Sequence, residues 1–307
     1  MSNARRGITR RDFLKRGAAG VTLAGAAAAF PSLARGEEPA RATVVLVRDP
    51  AVLGTDRAVN AEIVNRMLDM GVCELSGKAD PASAWAQFIK PEDTVGVKSN
   101  TWPALPTPPE VETVIVSKVT GAGVPADKVA VEDRGAKANP IFQNSTAIIN
   151  VRPMRSHHWA GVGSCIKNFM PFSEDCPSLH PNFCENLGQL WELPIVKGKT
   201  RLNILVMFTP LFHSKGPHNF DVKYTWDYAG FLLGTDPVAV DTVGLSIIQA
   251  KRKEFFQEDT PLPITPHHIR FAAEKFHLGI ADKDRIDLKM LGPSEGMLIP
   301  ISIQRAS

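Results

Sequence analysis

Short runs rich in β-branched residues alternate along this chain with segments of helical periodicity, and this alternation constrains the fold more than any other feature. The runs typical of strands cover residues 43–47, 94–98, 128–131, 147–151, 202–208, 228–233 and 286–291. The helical segments cover residues 56–70, 81–89, 108–120, 237–250 and 265–277. Strands separated by helices predict an α/β fold, with a mainly parallel sheet and helices on both faces. Residues 157–191 follow neither period and leave room for a smaller irregular insertion.

Capping residues mark the ends of two of these helices. Gly71 follows an apolar stripe in the first helical segment and predicts the end of that helix. Asp236 and Pro237 predict the start of the fourth helix, because aspartate favours the N-cap and proline the first helical position.

The N-terminal residues have the layout of an export signal. Residues 9–15 read Thr-Arg-Arg-Asp-Phe-Leu-Lys, the signature of twin-arginine export. A mildly apolar stretch follows at residues 17–30, too short and too weakly apolar to stay in a bilayer, and a cleavage point follows Ala34. We therefore predict a signal peptide at residues 1–34, a single domain at 41–307, and export to the periplasm by the twin-arginine translocase. That route carries folded proteins, which favours a cofactor or metal fitted before export.

The charge of the chain comes mostly from this signal. Six of the 35 basic residues and one of the 32 acidic residues lie within residues 1–34, so the rest carries a net charge of −2. This balance argues against nucleic acid as a partner. No second apolar stretch is long enough for a bilayer, so we expect no permanent membrane span.

Polar residues follow several predicted strands at the ends where ligands bind in parallel sheets. Lys98 and Asn100 follow one strand, and residues 132–134 (Glu-Asp-Arg) follow the next. Lys167 and Asn168 repeat the pairing of a lysine with an amide further along. An ammonium group beside an amide can bind carboxylate or phosphate, and a buried lysine can instead act as an acid or base. We predict a small anionic ligand, with Lys98 and Lys167 as catalytic candidates.

Two aspartates are candidates for orienting this site. Asp241 lies in a helix that is apolar on nearly every side, where a carboxylate is costly unless it is paired or bound. It either binds nearby backbone amides as a structural group or contributes, with Asp236, to ligand binding.

Histidines and cysteines cluster in the middle of the chain and are candidates for metal ligands or proton transfer. His157 and His158 are catalytic candidates. The metal candidates are His180, His213, His218, Cys165, Cys176 and Cys184. Their spacing matches no standard zinc motif and no ferredoxin run, and a disulfide between two of the three cysteines is the simplest expectation. The metal, if one binds, is a transition metal or an iron–sulfur cluster.

Taken in order, these motifs resemble the DUF362 family, whose function is unknown. The resemblance is carried by residues 95–100, His157 or His158, residues 163–169, His180, the Gly216-Pro217 pair and residues 233–241. It implies a site made from these blocks but no substrate. Many members carry a ferredoxin-like segment with clustered cysteines, and this chain lacks one.

Three classes of function remain open from the sequence. The first is an exported enzyme that binds an anionic ligand, with or without a metal ion, at the carboxyl edge of a parallel sheet. The second is a metal or iron–sulfur carrier that uses Cys165, Cys176 and Cys184 for electron transfer. The third is a non-catalytic periplasmic binding or assembly factor.

Overall fold

One mixed sheet with helices on both faces organises the chain. The computed structural model describes residues 41–214 and 220–299. The predicted signal peptide, the Gly216-Pro217 pair and His218 lie outside these residues. The described strands are β1 (Ala42–Arg48), β2 (Val95–Lys98), β3 (Val129–Glu132), β4 (Ala147–His157), β5 (Gly161–Gly163), β6 (Thr200–Leu211), β7 (Gly230–Gly234) and β8 (Ile286–Leu291). The described α-helices are α1 (Ala61–Ser76), α2 (Pro81–Trp85), α3 (Pro109–Gly121), α4 (Pro140–Gln143), α5 (Pro181–Cys184), α6 (Pro237–Phe256) and α7 (His267–Glu274).

The sheet order is β3-β2-β4-β6-β7-β1-β8, with β5 paired to β4. Strands β3, β2, β4 and β6 are parallel, β1 and β8 are parallel, and β7 is antiparallel to both of its neighbours. The predicted α/β fold with a mainly parallel sheet is confirmed. Among the described residues, no helix is both long and apolar enough to cross a bilayer.

Alternate residues of the central strands face two separate apolar cores. In β1, Val44 and Leu46 pack on the side of α6, while Val45 and Val47 pack on the side of α1 and α3. All four side chains are fully buried. Burial on both faces explains why the strands are continuous apolar runs and were visible in the sequence.

Helix α1 corrects one predicted boundary. Asn60 caps its start by accepting hydrogen bonds from the amides of Glu62 and Ile63, and Gly77 ends it in a left-handed conformation. Gly71 lies inside the helix rather than at its end, because it is where α1 crosses the sheet. A Cβ atom there would lie 2.7 Å from Cδ1 of Leu233, so this glycine allows close helix–sheet contact.

Strand β4 runs six residues beyond its predicted end and carries an irregularity in register between Pro153 and Arg155. Its extension continues past the ends of β2 and β3, whose register places Lys98 beside Glu132 and Asn150. The carboxyl ends of these three parallel strands therefore form one ledge, and β4 supplies its side wall.

Candidate functional site

A pocket of about 260 Å³ lies at this edge of the sheet. The loops after β2 and β3, the end of β4 and the 3₁₀-helix Ile166–Phe172 enclose it. It is lined by Asn100, Trp102, Asp133, Arg134, Arg152, Arg155, Ser156, His157, Lys167, Asn168, Met170 and Pro171. Four of these side chains are cationic and one is a carboxylate. The pocket therefore has the electrostatic character of an anion site.

The irregularity in β4 explains how two arginines come to share this pocket. In a regular strand, residues 152 and 155 would point to opposite faces. A register shift between Pro153 and Arg155 breaks this alternation, as β-bulges do, so that Arg152 and Arg155 both line the pocket. Gly163, which pairs with Arg155 across the β4–β5 ladder, leaves the room that both need. A Cβ atom on Gly163 would lie 2.8 Å from Nη2 of Arg152 and 3.5 Å from Cγ of Arg155.

Gly163→Ala tests this packing. The added methyl group displaces the guanidinium of Arg152, and we expect the affinity for an anionic ligand to fall about tenfold, since small displacements of a binding group are costly. Stability should change little, because the atom it meets is the end of a long side chain. Isothermal titration of the variant measures the effect. Gly121→Ala is the control, because a Cβ there meets nothing within 4 Å. Equal affinity in both variants would contradict the role given to Gly163.

Neither guanidinium forms an ion pair with a carboxylate among the described residues. Nη1 of Arg152 donates to the carbonyl of Ser164 at 3.2 Å, while its Nε, like Oγ of Ser156, is buried without a hydrogen-bond partner in that part of the chain. Arg152 is 2% exposed and Ser156 is 5% exposed. Burial lowers the pKa of both arginines, and the charge of Arg152 adds to this effect at Arg155. Two like charges are thus held side by side with donor groups left over.

Arg155 is oriented by an aromatic ring and an amide. Its guanidinium carbon lies 4.4 Å from the centre of the Trp102 ring, and its Nη1 donates to Oδ1 of Asn100 at 2.9 Å. Stacking on tryptophan and one hydrogen bond fix the plane of the guanidinium without neutralising it. Its remaining N–H groups are available to a ligand.

Lys98 is not among the lining residues but forms an ion pair with Asp133, which is. Its Nζ donates to Oδ1 of Asp133 at 2.6 Å and to the carbonyl of Ser99 at 2.7 Å, and its side chain is fully buried. Oδ2 of Asp133 accepts from the amide and the hydroxyl of Thr101. Burial lowers the pKa of Lys98 to about 8, and Asp133 opposes the shift. The predicted catalytic Lys98 therefore supports Asp133 from behind.

Lys167 has a different environment. It is 6% exposed and lines the pocket, and its Nζ contacts the thioether sulfur of Met170. Burial is the main cause that lowers its pKa to about 8, and Arg152 and Arg155 act in the same direction. This lysine therefore faces the pocket beside other cations and a neutral sulfur.

A row of buried amides links the pocket to the centre of the sheet. Nδ2 of Asn100 donates to Asn168 at 3.4 Å, Asn168 donates to Asn150 at 2.8 Å, and Asn150 donates to Asn203 at 2.9 Å. Asn203 in turn donates to the carbonyls of Gly234 and Thr235. Asn168 also donates to the carbonyls of Lys98 and Val151. Asn168, predicted to bind ligand, therefore positions the loop with its amide nitrogen.

The two predicted ligand aspartates hold backbone instead. Asp241 is fully buried and accepts from the hydroxyl of Ser164 at 2.6 Å and from the amides of Cys165 at 2.8 Å and Ile166 at 2.9 Å. Burial raises its pKa to about 6, and these donors oppose the shift. Asp236 caps α6 and accepts from the amide of Ile280. Asp241 thus fixes the turn that presents Lys167. Of its two predicted roles, binding of backbone amides and binding of a ligand, these contacts correspond to the first.

The histidines divide between a cluster at the pocket and a distant location. Nδ1 of His157 accepts from the amides of Trp159 at 3.2 Å and Ala160 at 3.3 Å. Burial, together with Lys167, holds the pKa of His157 far below its ordinary value, so the ring is neutral with its proton on Nε2. His158 stacks on His157, and Trp159 packs against His180. His157 lines the pocket and belongs to an aromatic cluster with His158, Trp159 and His180.

The predicted metal ligands that lie within the described residues are not gathered into one site. Nδ1 of His213 lies 3.1 Å from Nη1 of Arg252, and the ring packs against Tyr224 and Phe256, away from the pocket. Among the described residues, no group of three or more His, Cys, Asp or Glu side chains is arranged to hold a metal ion. Burial raises the pKa of the thiols of Cys165 and Cys184, which opposes the thiolate form that binds metals. A ferredoxin-like cluster therefore does not fit these residues.

The expected disulfide is also wrong. Cys73, Cys165, Cys176 and Cys184 are all free thiols. Cys165 and Cys184 contribute to the apolar core, and the sulfur of Cys176 donates to the carbonyl of Met170.

Three residues that line the pocket were not predicted from the sequence: Arg152, Arg155 and Trp102. Arg152 and Arg155 directly follow the apolar run at residues 147–151, in the order Arg-Pro-Met-Arg. The sequence did contain a signal for them, because two arginines follow an apolar strand directly. A buried arginine needs a partner or a ligand, so this pattern indicates a site.

Together, the fold and the pocket define an α/β protein with a basic site at the carboxyl edge of its sheet. Residues 96–246 match the family described as Domain of unknown function (DUF362), which supports the assignment predicted from the motifs. The match includes Lys98, Asp133, Arg152, Lys167 and Asp241. No curated protein and no solved structure matches the chain.

Proposed function

We propose that this chain is an exported enzyme that acts on a small organic acid bound between Arg152, Arg155 and Lys167. One observation carries the proposal: two buried guanidinium groups share a pocket without a carboxylate partner among the described residues. Buried charges are costly unless they are paired. A carboxylate or phosphate in the pocket would supply the missing charge and accept the unused N–H groups.

The dimensions of the pocket favour a small ligand. Its volume of about 260 Å³ is below the range of roughly 300–1,000 Å³ that drug-sized ligands occupy. The charge of the pocket favours an acidic ligand. Lys98 already neutralises Asp133, the one carboxylate among the lining residues, so the cationic side chains keep their net positive charge. We therefore favour a compact acid over an extended cofactor.

An enzyme is favoured over a binding factor because Lys167 lines the pocket with its Nζ against a thioether, whereas Lys98 is ion-paired with Asp133. A binding site needs only fixed charges, whereas a buried lysine that faces the ligand, with a pKa lowered to about 8, can exchange a proton near neutral pH. Neutral His157 can donate a hydrogen bond from Nε2 at the same pocket. Export to the periplasm by the translocase remains part of the proposal and is supported by the twin-arginine motif at residues 9–15.

Binding of small acids to the exported, purified protein tests the proposal. Pyruvate, 2-oxoglutarate, malate and inorganic phosphate are titrated at several salt concentrations, and each is compared with its uncharged amide or ester where one exists. We expect at least one acid to bind, with an affinity that falls as salt rises. Absence of binding by every acid, together with a stoichiometric metal by elemental analysis, would instead support the metal-carrier class.

Arg134→Gln should weaken this binding modestly. Arg134 is exposed at the rim, where a charge is screened, so we expect a loss of about threefold to tenfold and a shallower dependence on salt. Lys128→Gln is the matched control, because Lys128 is also exposed but lies at the opposite end of β3. Equal effects of the two substitutions would show that only the overall charge of the protein matters.

A further inference from the structure

The two lysines differ in their contacts, although burial lowers the pKa of each to about 8. Nζ of Lys98 is held by a carboxylate and a carbonyl, both of which favour the charged ammonium. Nζ of Lys167 contacts the thioether of Met170 and has no carboxylate partner among the described residues. An amine near other cations and away from counterions is the usual setting for lysines that react as nucleophiles.

The backbone on both sides of Lys167 is fixed. Asp241 accepts from the amides of Cys165 and Ile166, just before the lysine. Asn168, just after it, donates to three oxygen atoms from β2 and β4. Buried groups thus hold Lys167 at the pocket that the two arginines also line. A nucleophile held this way has little freedom to lose when it reacts.

We propose that Lys167 forms a covalent imine with a small aldehyde or ketone that carries an acidic group. This inference rests on the proposed function, since Arg152 and Arg155 would hold the acidic group while the carbonyl carbon meets Nζ. The acidic group can be a carboxylate, as in a 2-oxo acid, or a phosphate, as in a phosphorylated ketone. Both bind guanidinium groups through the same charged hydrogen bonds.

The reaction is balanced without an oxidant or reductant. The neutral amine attacks the carbonyl carbon, a C–N bond forms, and the electron pair of the C=O bond moves to oxygen. The oxygen takes up protons and leaves as water while a C=N bond forms. Overall, one lysine ammonium and one carbonyl give one protonated imine and one water molecule.

The position of Lys167 favours this reaction near neutral pH. A lysine with a pKa of about 8 is roughly one-tenth neutral at pH 7, whereas an ordinary lysine is neutral in far smaller proportion. Because deprotonation creates the nucleophile, the rate of imine formation should rise with pH through about 8 and then level off.

Borohydride trapping tests the inference. The full exported protein is incubated with pyruvate, 2-oxoglutarate or dihydroxyacetone phosphate, reduced with sodium borohydride, digested and sequenced by mass spectrometry. We expect a secondary amine on Lys167 with at least one of these probes. The two oxo acids and the phosphorylated ketone distinguish the two kinds of acidic group.

Two variants make the test specific. Lys167→Arg keeps the positive charge but cannot form an imine, so we expect no adduct with any of the three probes. Lys197→Arg is the control, because Lys197 is 61% exposed and paired with Glu192, and the adduct should be unchanged. An equal yield of adduct in Lys167→Arg would overturn the inference.

The outcomes separate this inference from the proposed function. If an unreactive analogue, lactate or glycerol 3-phosphate, binds and no adduct is trapped with any probe, the imine is excluded and the acid site stands. If no acid binds and no adduct forms, both proposals fail. An adduct on Lys167 that is lost in Arg155→Met supports both.

Discussion

Arg152→Met is expected to abolish acid binding and, at the same time, to stabilise the empty protein. Arg152 is 2% exposed, and its guanidinium has one protein hydrogen bond at 3.2 Å among the described residues and lies near Arg155. Methionine fills similar space without a charge to desolvate. Replacing even paired buried charges with apolar residues of similar volume is often neutral or stabilising by about 1–4 kcal/mol, and Arg152 has no carboxylate partner among the described residues to lose. Removing one partner of a buried charged contact weakens binding by about 2–5 kcal/mol, or roughly 30-fold to a few thousand-fold.

Arg252→Met is the matched control for this prediction. Arg252 is equally buried, but its guanidinium donates to the carbonyls of Phe212, Thr260 and Pro261. Its loss leaves those carbonyls without their donor, so we expect this variant to lose stability and to keep its affinity for acids. Urea unfolding and titration calorimetry measure both properties. If Arg152→Met is destabilised as much as Arg252→Met, Arg152 is a structural residue and the anion site loses its main support.

Asp241→Ala should have the largest effect on stability. Its carboxylate accepts three hydrogen bonds inside the core, and alanine would leave two backbone amides and a hydroxyl without partners. Breaking a buried network of this kind costs about 3–5 kcal/mol. Acid binding should fall as well, because the turn that these bonds fix presents Lys167. The midpoint of urea unfolding is the measurement.

Asp241→Asn and Glu92→Ala bracket this result. The asparagine keeps one oxygen acceptor but turns an NH₂ group toward a donor, so we expect an intermediate loss of stability. Glu92 is exposed, and its removal should change stability by no more than about 0.5 kcal/mol. If Asp241→Ala unfolds at the same urea concentration as Glu92→Ala, the carboxylate does not hold the turn in solution.

The sheet could be predicted because its strands are buried on both faces. The predicted run at residues 286–291 coincides with β8, and the run at 43–47 lies within β1. Strand direction could not be predicted in the same way, since nothing local in β7 distinguishes an antiparallel strand from a parallel one. The end of β4 was missed because Arg152 and Arg155 interrupt the apolar pattern from which the strand was predicted.

The site could be predicted in part for a related reason. Asn100 reaches the pocket, with Lys98 next to it, because both lie at the end of β2 and the carboxyl ends of parallel strands meet at one edge. Lys167 comes to the same pocket from the 3₁₀-helix Ile166–Phe172. What each polar group does there depends on its partners, which lie far away in sequence. The bonds of Asp241 to residues 164–166 cross more than seventy positions, so the sequence left its role open between ligand and structure.

The amide row also decides how much charge the pocket keeps for its ligand. A carboxylate at position 100 would hold Arg155 firmly but would cancel its charge. The neutral amide of Asn100 holds it with an oxygen atom only. Each following amide, in Asn168, Asn150 and Asn203, also turns its oxygen toward Arg155 and its nitrogen away, so their dipoles add head to tail. The amide dipoles thus solvate the guanidinium of Arg155 much as water would. Because they carry no net charge, the positive charge of Arg155 remains to attract an incoming acid.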